Sequence, residues 1–307
     1  MSEGDLGHPG PVEQPAVMCA ILMVLLPLRI SPLVLLLVAL VACAGLPPEK
    51  RQALDTKKES FLKDGLRLFQ QGRYELAIQA FTQEIRRERN TPLAYYNRAL
   101  SYSQTQQIGK ALNDYNRVLE IEPDMVPALT NRAALLVQGG KYAAAIRDLQ
   151  AALRIAGDQP ALLYNVGLVH LKEQKCQQAI QAFEKALAID PHLARAYNSK
   201  AVAEMRLNKV QAALEDCNQA IFLDASKADY YFNRGIAHEN QGSIAKAMAD
   251  YSRALEINPA HAPSLVNRGM LRINIGDSRS GCRDLQSGCR EGACQVYEDF
   301  LKQGLCE

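Results

Sequence analysis

Four of the eight cysteines in this 307-residue chain lie within its last 26 residues, where they form its densest group of reactive side chains. These spacings match no familiar zinc motif. In an oxidising compartment, cysteines clustered in this way form disulfides. We therefore predict two disulfides, for which three connectivities are possible. The four residues are Cys282, Cys289, Cys294 and Cys306, separated by six, four and eleven residues.

The other side chains that commonly take part in chemistry form no enzyme motif. The five histidines are scattered, and the chain lacks a glycine-rich phosphate loop, a nucleophile elbow and a paired-histidine metal motif. We therefore expect a non-enzymatic protein with no cofactor and no bound metal. The balance of 35 Lys and Arg against 33 Asp and Glu also argues against nucleic acid as a partner, because phosphate binding needs a basic surface.

The sequence repeats every 34 residues, and this repeat predicts the helices that position the cysteines and other side chains of the chain. The eighth residue of each unit is Gly or Ala, and the twentieth is Ala or, in the last unit, Gly, so two helices can approach closely there. Larger side chains at position 24 fill the adjoining space, and Pro at position 32 of three units ends the second helix. The absence of Trp and the 6% aromatic content fit such close helix packing. The units are 58–91, 92–125, 126–159, 160–193, 194–227, 228–261 and 262–295.

This pattern resembles the tetratricopeptide repeat over residues 58–295. The resemblance implies an all-α fold, a right-handed α-solenoid of seven antiparallel helix pairs, whose first helices line a concave groove. The best matches are Tyr95, Ala99, Tyr102, Ala111, Tyr115 and Pro123 in the second unit, and Tyr231, Gly235, Ala247, Tyr251, Ala254 and Pro259 in the sixth.

A Cys-rich capping helix and C-terminus are expected over 293–307. Antiparallel packing of this helix on the last repeat helix would nest a Cys289–Cys294 bond inside a Cys282–Cys306 bond, although the other two connectivities stay open. Such bonds would stabilise an end that has no further repeat to pack against. Cys176 and Cys217 occupy packing positions, and we interpret them as small buried hydrophobic residues.

A basic column and an acidic column vary together along the repeats. Position 7 is Arg or Lys and position 23 is Asp in five units, whereas the fourth unit has Val166 and Ala182 and the first has Asp64 and Ala80. We therefore predict ion pairs between the two helices of one unit; shared ancestry without contact is the alternative. The pairs are Arg98–Asp114, Arg132–Asp148, Lys200–Asp216, Arg234–Asp250 and Arg268–Asp284.

A third column, at position 6, carries amides that can both donate to and accept from the backbone of an extended peptide. It is similar to the asparagine ladder of the O-linked N-acetylglucosamine transferase repeats, and only the binding role is expected to carry over. Apolar residues at position 9 and aromatic residues at position 5 would add pockets to the groove. Alternatively, the amides bond to neighbouring helices or water, and position 9 packs on the next repeat. The predicted groove residues are Asn97, Asn131, Asn165, Asn233, Asn267, Tyr96, Tyr164 and Phe232.

One known mode of peptide binding is disfavoured. The chaperone-type carboxylate clamp needs Lys at position 5 and Asn at position 9 of its first repeat. Leu62 and Leu66 stand at these positions, so we do not expect the C-terminal tails of chaperones to bind.

The N-terminal segment differs in composition from the repeats. Residues 33–42 form an apolar run with the length of a signal-peptide core, and Leu40-Val41-Ala42-Cys43 resembles a bacterial lipobox, in which cleavage precedes a cysteine that is then lipidated. The resemblance implies an N-terminal extension and signal peptide in 1–42, lipidation of Cys43 and a tether over 43–57. Translation starting at Met18 or Met23 would fit this leader better, and an uncleaved anchor over 16–46 is the alternative.

These observations favour a scaffold or adaptor of the bacterial cell envelope that is lipid-anchored and faces the periplasm. Ala44 is typical of lipoproteins sorted to the outer membrane. The partner is expected to be a peptide or protein bound in the groove. Two alternatives remain: an assembly factor of an envelope complex that uses its convex face, and a cytoplasmic regulator whose start is misassigned. The sequence identifies neither the partner nor the oligomeric state.

Overall fold

The computed structural model describes residues 61–306. The predicted leader 1–42, Cys43 and the tether 43–57 lie outside the described residues. Within the described range every regular element is a helix, beginning with α1 over 61–70. The others are α2 Tyr74–Arg87, α3 Pro92–Gln104, α4 Ile108–Ile121, α5 Val126–Gln138, α6 Tyr142–Ala156, α7 Pro160–Lys172, α8 Cys176–Ile189, α9 Ala194–Arg206, α10 Val210–Leu223, α11 Ala228–Asn240, α12 Ile244–Ile257, α13 Ala262–Asn274, α14 Ser278–Arg290 and α15 Cys294–Lys302.

The helices pack as consecutive pairs. From α3 onward each odd-numbered helix packs on the even-numbered helix that follows it, and each pair packs on the next pair. Three-residue turns join the helices of a pair, so the two helices run in opposite directions. The prediction of an all-α array of helix pairs is confirmed.

Small residues at position 8 bring the two helices of a pair together. At Gly235 a Cβ atom would lie 2.5 Å from Cε1 of Tyr251, so no larger residue fits beside that ring. The same contact recurs along the array and forms a core that is repeated in each pair rather than gathered at one centre. The side chains that fill it at position 24 are almost completely buried: Phe81, Tyr115, Leu149, Phe183, Cys217, Tyr251 and Leu285.

The turn inside each pair needs one residue with positive φ. Glycine adopts this conformation without strain, whereas an L side chain there is strained. Three turns nevertheless use other residues, namely Gln106 (φ 58°), Gln174 (φ 63°) and Asn208 (φ 60°). The turns that use glycine have it at Gly72, Gly140, Gly242 and Gly276.

Helix α15 packs on α14 at the C-terminal end of the array. Disulfides join Cys282 to Cys306 and Cys289 to Cys294, so one bond lies inside the other along the chain. The C-terminal segment is therefore held to the last repeat at two points. In the part of the chain that the structure describes, no helix is both long enough and apolar enough to span a membrane.

Candidate functional site

The first helices of successive pairs form one continuous surface. Helix α7 contacts both α5 and α9, and α9 also contacts α11. Side chains at positions 2, 5, 6, 9 and 13 of these helices therefore lie close to their equivalents in the next repeat. We call this surface the groove.

Ion pairs join the two helices within five repeats. Each acid is buried, with 6–7% of its surface exposed, and each arginine donates two hydrogen bonds to it. Such bidentate bonds fix both position and orientation. The shortest N–O distances are Arg98–Asp114 2.7 Å, Arg132–Asp148 2.7 Å, Lys200–Asp216 3.1 Å, Arg234–Asp250 2.7 Å and Arg268–Asp284 2.8 Å.

The arginines also reach the second helix of the preceding repeat, a contact that the sequence analysis missed. Arg132 Nη1 donates to Asn116 Oδ1 at 2.8 Å, and Arg234 Nη1 donates to Asn218 Oδ1 at 2.8 Å. Each arginine therefore ties three helices together and couples neighbouring repeats. The feature of the sequence that could have predicted this contact is a short polar residue at position 25. The other two such bonds are Arg98–Thr82 at 3.0 Å and Arg268–Ser252 at 3.1 Å.

In the fifth repeat, one cation faces two buried carboxyl groups. Lys200 Nζ lies 3.1 Å from Asp216 and 3.7 Å from Glu204. Burial, together with the negative Asp216, raises the pKa of Glu204 to about 7. Oε2 of Glu204 is buried, and Oδ2 of Asp216 is the atom that lies 3.1 Å from Lys200 Nζ. Glu204 therefore holds a proton in mildly acidic solution.

Four of the five predicted ladder asparagines are engaged within the chain. Each donates one side-chain N–H to another group of the chain. Asn165 makes no side-chain hydrogen bond to any described residue. The bonds run from Asn97 to the Leu93 carbonyl (2.8 Å), from Asn131 to Tyr96 Oη (3.0 Å), from Asn233 to Asn198 Oδ1 (2.9 Å) and from Asn267 to Tyr251 Oη (3.2 Å).

The position-5 aromatic residues rest on the core rings of their own repeats and are half-buried. They therefore contribute packing as well as groove surface. The ring centroids are 5.9 Å apart for Tyr96–Tyr115, 5.7 Å for Tyr164–Phe183 and 5.8 Å for Phe232–Tyr251.

An apolar cavity of about 360 Å³ opens between α5 and α7. Val137 and Leu168 are among its apolar lining residues, and the ladder residues Asn131 and Asn165 line it together with Lys172. The cavity thus combines an apolar wall with two amide groups, of which that of Asn165 makes no hydrogen bond to a described residue. The full lining is Thr130, Asn131, Ala133, Ala134, Val137, Leu149, Asn165, Leu168, Val169 and Lys172.

A polar cavity of about 390 Å³ lies next along the groove, between α7, α9 and α11. It brings together two cations, two tyrosines and several hydrogen-bonding groups, most of which the sequence analysis did not single out. Its lining is Tyr164, Arg195, Asn198, Ser199, Lys227, Asp229, Tyr230 and Asn233. Among the described residues, no three His, Cys, Asp or Glu side chains are arranged to hold a metal ion.

Family models for tetratricopeptide repeats match residues 62–126, 98–164, 164–228 and 228–261, which together span 62–261. The chain is a tetratricopeptide repeat protein. None of the matching family models describes an enzyme. No curated protein matches this tetratricopeptide repeat protein.

Solved structures match the array of helix pairs. A tetratricopeptide repeat protein from Parabacteroides merdae is 22% identical with a TM-score of 0.70, covering 80% of this chain and 98% of its own. Pseudomonas aeruginosa pilF is 18% identical (TM-score 0.57, covering 69% and 97%), and MamA of Desulfovibrio magneticus is 21% identical (0.53, 55% and 96%). At these identities the likeness shows the fold of this tetratricopeptide repeat protein and nothing further.

Proposed function

We propose that this protein is a lipid-anchored adaptor of the bacterial cell envelope, facing the periplasm, that binds an extended segment of a partner protein in its groove. The apolar cavity between α5 and α7 carries the groove-binding part of this proposal, and the likeness of Leu40-Val41-Ala42-Cys43 to a lipobox carries the anchoring part. An aliphatic side chain of the partner would enter beside Leu168, while Asn131 and Asn165 bond to the backbone on either side. Peptide recognition commonly combines such apolar pockets with backbone hydrogen bonds.

A crosslinking pull-down from native membranes tests groove binding. We expect Asn131→Ala combined with Asn165→Ala to reduce recovery of the partner severalfold, because two sets of backbone hydrogen bonds are lost. The matched control is Asn113→Ala, which removes an exposed amide from the second helix α4. Far-UV circular dichroism checks that all variants are folded. Unchanged recovery with the double variant would mean that the groove is not the binding surface.

Lipid anchoring is tested separately, since it depends on Cys43 and not on the groove. Cells fed a radioactive fatty acid should label the wild-type protein and leave Cys43→Ala unlabelled and released from membranes. Recovery of an N-terminal peptide from residues 1–17 in the purified protein would contradict the proposed leader.

The assembly-factor alternative is favoured by an exposed aromatic residue on a second helix. Phe222 of α10 has 82% of its surface exposed, although burial of such a ring is favourable. If a complex forms through the second helices, Phe222→Asp should reduce recovery of the partner while the groove variants leave it unchanged. The opposite pattern supports groove binding.

A further inference from the structure

We propose that the polar cavity between α7, α9 and α11 binds a carboxylate of the same peptide whose aliphatic residue occupies the apolar cavity. The inference rests on the proposed groove binding and adds the chemistry of the partner: an extended segment with an aliphatic residue and, a short distance along the chain, an acidic group. Three features of the cavity support this assignment, namely an unneutralised cation, unused hydrogen-bond donors and continuity with the apolar cavity.

The cation is Arg195, at the second position of α9. Its Cζ lies 4.7 Å from the centre of the Tyr164 ring, and a cation–π contact of this kind holds a guanidinium in place. The residue is exposed, and no described carboxylate lies within ion-pair distance of it. A planar guanidinium fixed against a ring is well suited to bidentate binding of a carboxylate.

The acids near the cavity already have partners. Asp229 Oδ1 lies 3.1 Å from His261 Nε2, and Asp224 Oδ2 lies 3.9 Å from Lys227 Nζ. The lining of the cavity thus carries two cations, Arg195 and Lys227, against the single carboxylate of Asp229, which leaves one positive charge uncompensated. Lys172 in the adjoining apolar cavity adds a second positive charge to this part of the groove.

The polar floor of the cavity offers donors. Asn198 accepts through Oδ1 from Asn233, which leaves its own amide N–H groups to donate. The hydroxyls of Ser199 and Tyr164 are 3.3 Å apart, so only one hydrogen of that pair is used between them. A carboxylate placed here would accept from Arg195 and Asn198, and both groups can donate without breaking an existing bond.

The two cavities meet on α7. Tyr164 lines the polar cavity and the next residue, Asn165, lines the apolar one. Neighbouring helices lie about 8–10 Å apart, and an extended chain advances about 3.3 Å per residue. The acidic group should therefore lie about three residues from the aliphatic residue.

Selection from a phage library of random 12-residue peptides on the immobilised full-length protein tests the inference. The wild-type protein should enrich peptides with an aliphatic residue and an Asp or Glu at this spacing. Arg195→Gln should lose the acidic preference and keep the aliphatic one. Arg147→Gln, which removes an exposed arginine from the second helix α6, is the matched control and should select as the wild type does.

A selected peptide then measures the contact by fluorescence anisotropy. Replacing its acidic residue by the amide should weaken binding to the wild-type protein about tenfold, as expected for a charge-assisted hydrogen bond. The same replacement should have less than about a twofold effect on Arg195→Gln. A version with an amidated C-terminus distinguishes a side-chain carboxylate from a terminal one.

The outcomes separate this inference from the proposed function. Peptides that need Asn131 and Asn165 but show no acidic preference would overturn the carboxylate site alone. Selections that are insensitive to the groove variants, or that enrich no peptide, would overturn groove binding and the carboxylate site with it. An acidic preference that persists in Arg195→Gln would also overturn the assignment to this cavity.

Discussion

The buried aspartates at position 23 depend on their basic partners. Asp250 is 6% exposed and receives two hydrogen bonds from Arg234, so loss of the arginine would leave a charge in the interior without compensation. Surface ion pairs behave differently because water already solvates both groups. The burial of these pairs, rather than their number, determines how much they stabilise the protein.

A double-mutant cycle on Arg234→Ala and Asp250→Ala measures this effect. We expect each single variant to unfold in less urea than the wild type and the coupling energy to be on the order of 2 kcal/mol. The matched control is the Arg253–Glu256 pair, whose side chains are 53% and 63% exposed, with an expected coupling below about 0.5 kcal/mol. Equal coupling in both cycles would show that burial does not strengthen the pair.

Glu204 gives the protein a pH dependence in the neutral range. Its pKa rises from 4.5 to about 7 on folding, so the unfolded chain loses this proton at lower pH than the folded one. The stability that protonated Glu204 contributes is therefore fully present below about pH 4.5 and is lost as the pH rises through about 7. Relative to the wild type, Glu204→Gln should gain on the order of 1–2 kcal/mol between about pH 5 and pH 8.

Urea unfolding at several pH values checks this prediction, with Glu215→Gln on the exposed side of α10 as the control. Burial lowers the pKa of His170 and His238, so their contribution has the opposite sign and is lost on acidification. It is common to wild type and variant and cancels in the difference. A constant difference between the two proteins across this range would contradict the raised pKa.

At the residue level, the sequence predicted contacts within a repeat and missed contacts between neighbouring repeats. The shared pattern of positions 7 and 23 predicted which residues meet, since 34-residue spacing gives every unit the same geometry. The reach of Arg132 to Asn116 was not predicted, because it depends on how neighbouring pairs stack. The bond from Asn131 to Tyr96 was likewise not predictable, because it depends on which side chain the preceding repeat places next to the amide.

At the level of elements, the predicted helix pairs are present because their determinants are local. Proline begins α3, α5, α7 and α13 within the first turn, where a missing N–H costs nothing. Turn residues were less predictable, since Gln106 and Gln174 adopt a conformation that favours glycine. The tight helix packing in each pair overrides this local preference.

The two disulfides at the C-terminal cap should differ in their effect on stability. Cys282–Cys306 joins residues 24 apart, whereas Cys289–Cys294 joins residues only 5 apart. Closing a longer loop removes more entropy from the unfolded chain, so the outer bond should stabilise by about 1 kcal/mol more than the inner one. Thermal unfolding of Cys282→Ser/Cys306→Ser and of Cys289→Ser/Cys294→Ser measures the difference. A larger loss with the inner pair would show that the cap is held mainly through the turn before α15.

Across the whole molecule, stability is distributed along the array instead of being concentrated in one core. Each pair contacts its neighbours, and the arginine bridges join each repeat only to the preceding one. In such an array the free energy of unfolding is close to a sum over repeats and the interfaces between them. A repeat can then be removed if the columns on both sides stay in register.

Deletion of residues 194–227 tests this arrangement, because it joins Leu193 to Ala228 and keeps every column in register. Helix α11 would then pack on α8. Glu184 would take the position that Asn218 now occupies beside Arg234. We expect a folded protein whose urea m-value falls by about one-seventh, in proportion to the surface lost. The control deletion of 194–210 removes α9 and leaves two second helices in succession, so buried alanines would face solvent and far-UV circular dichroism should show loss of helix. If both deletions fold equally well, the repeats are not joined through the contacts between paired helices described here.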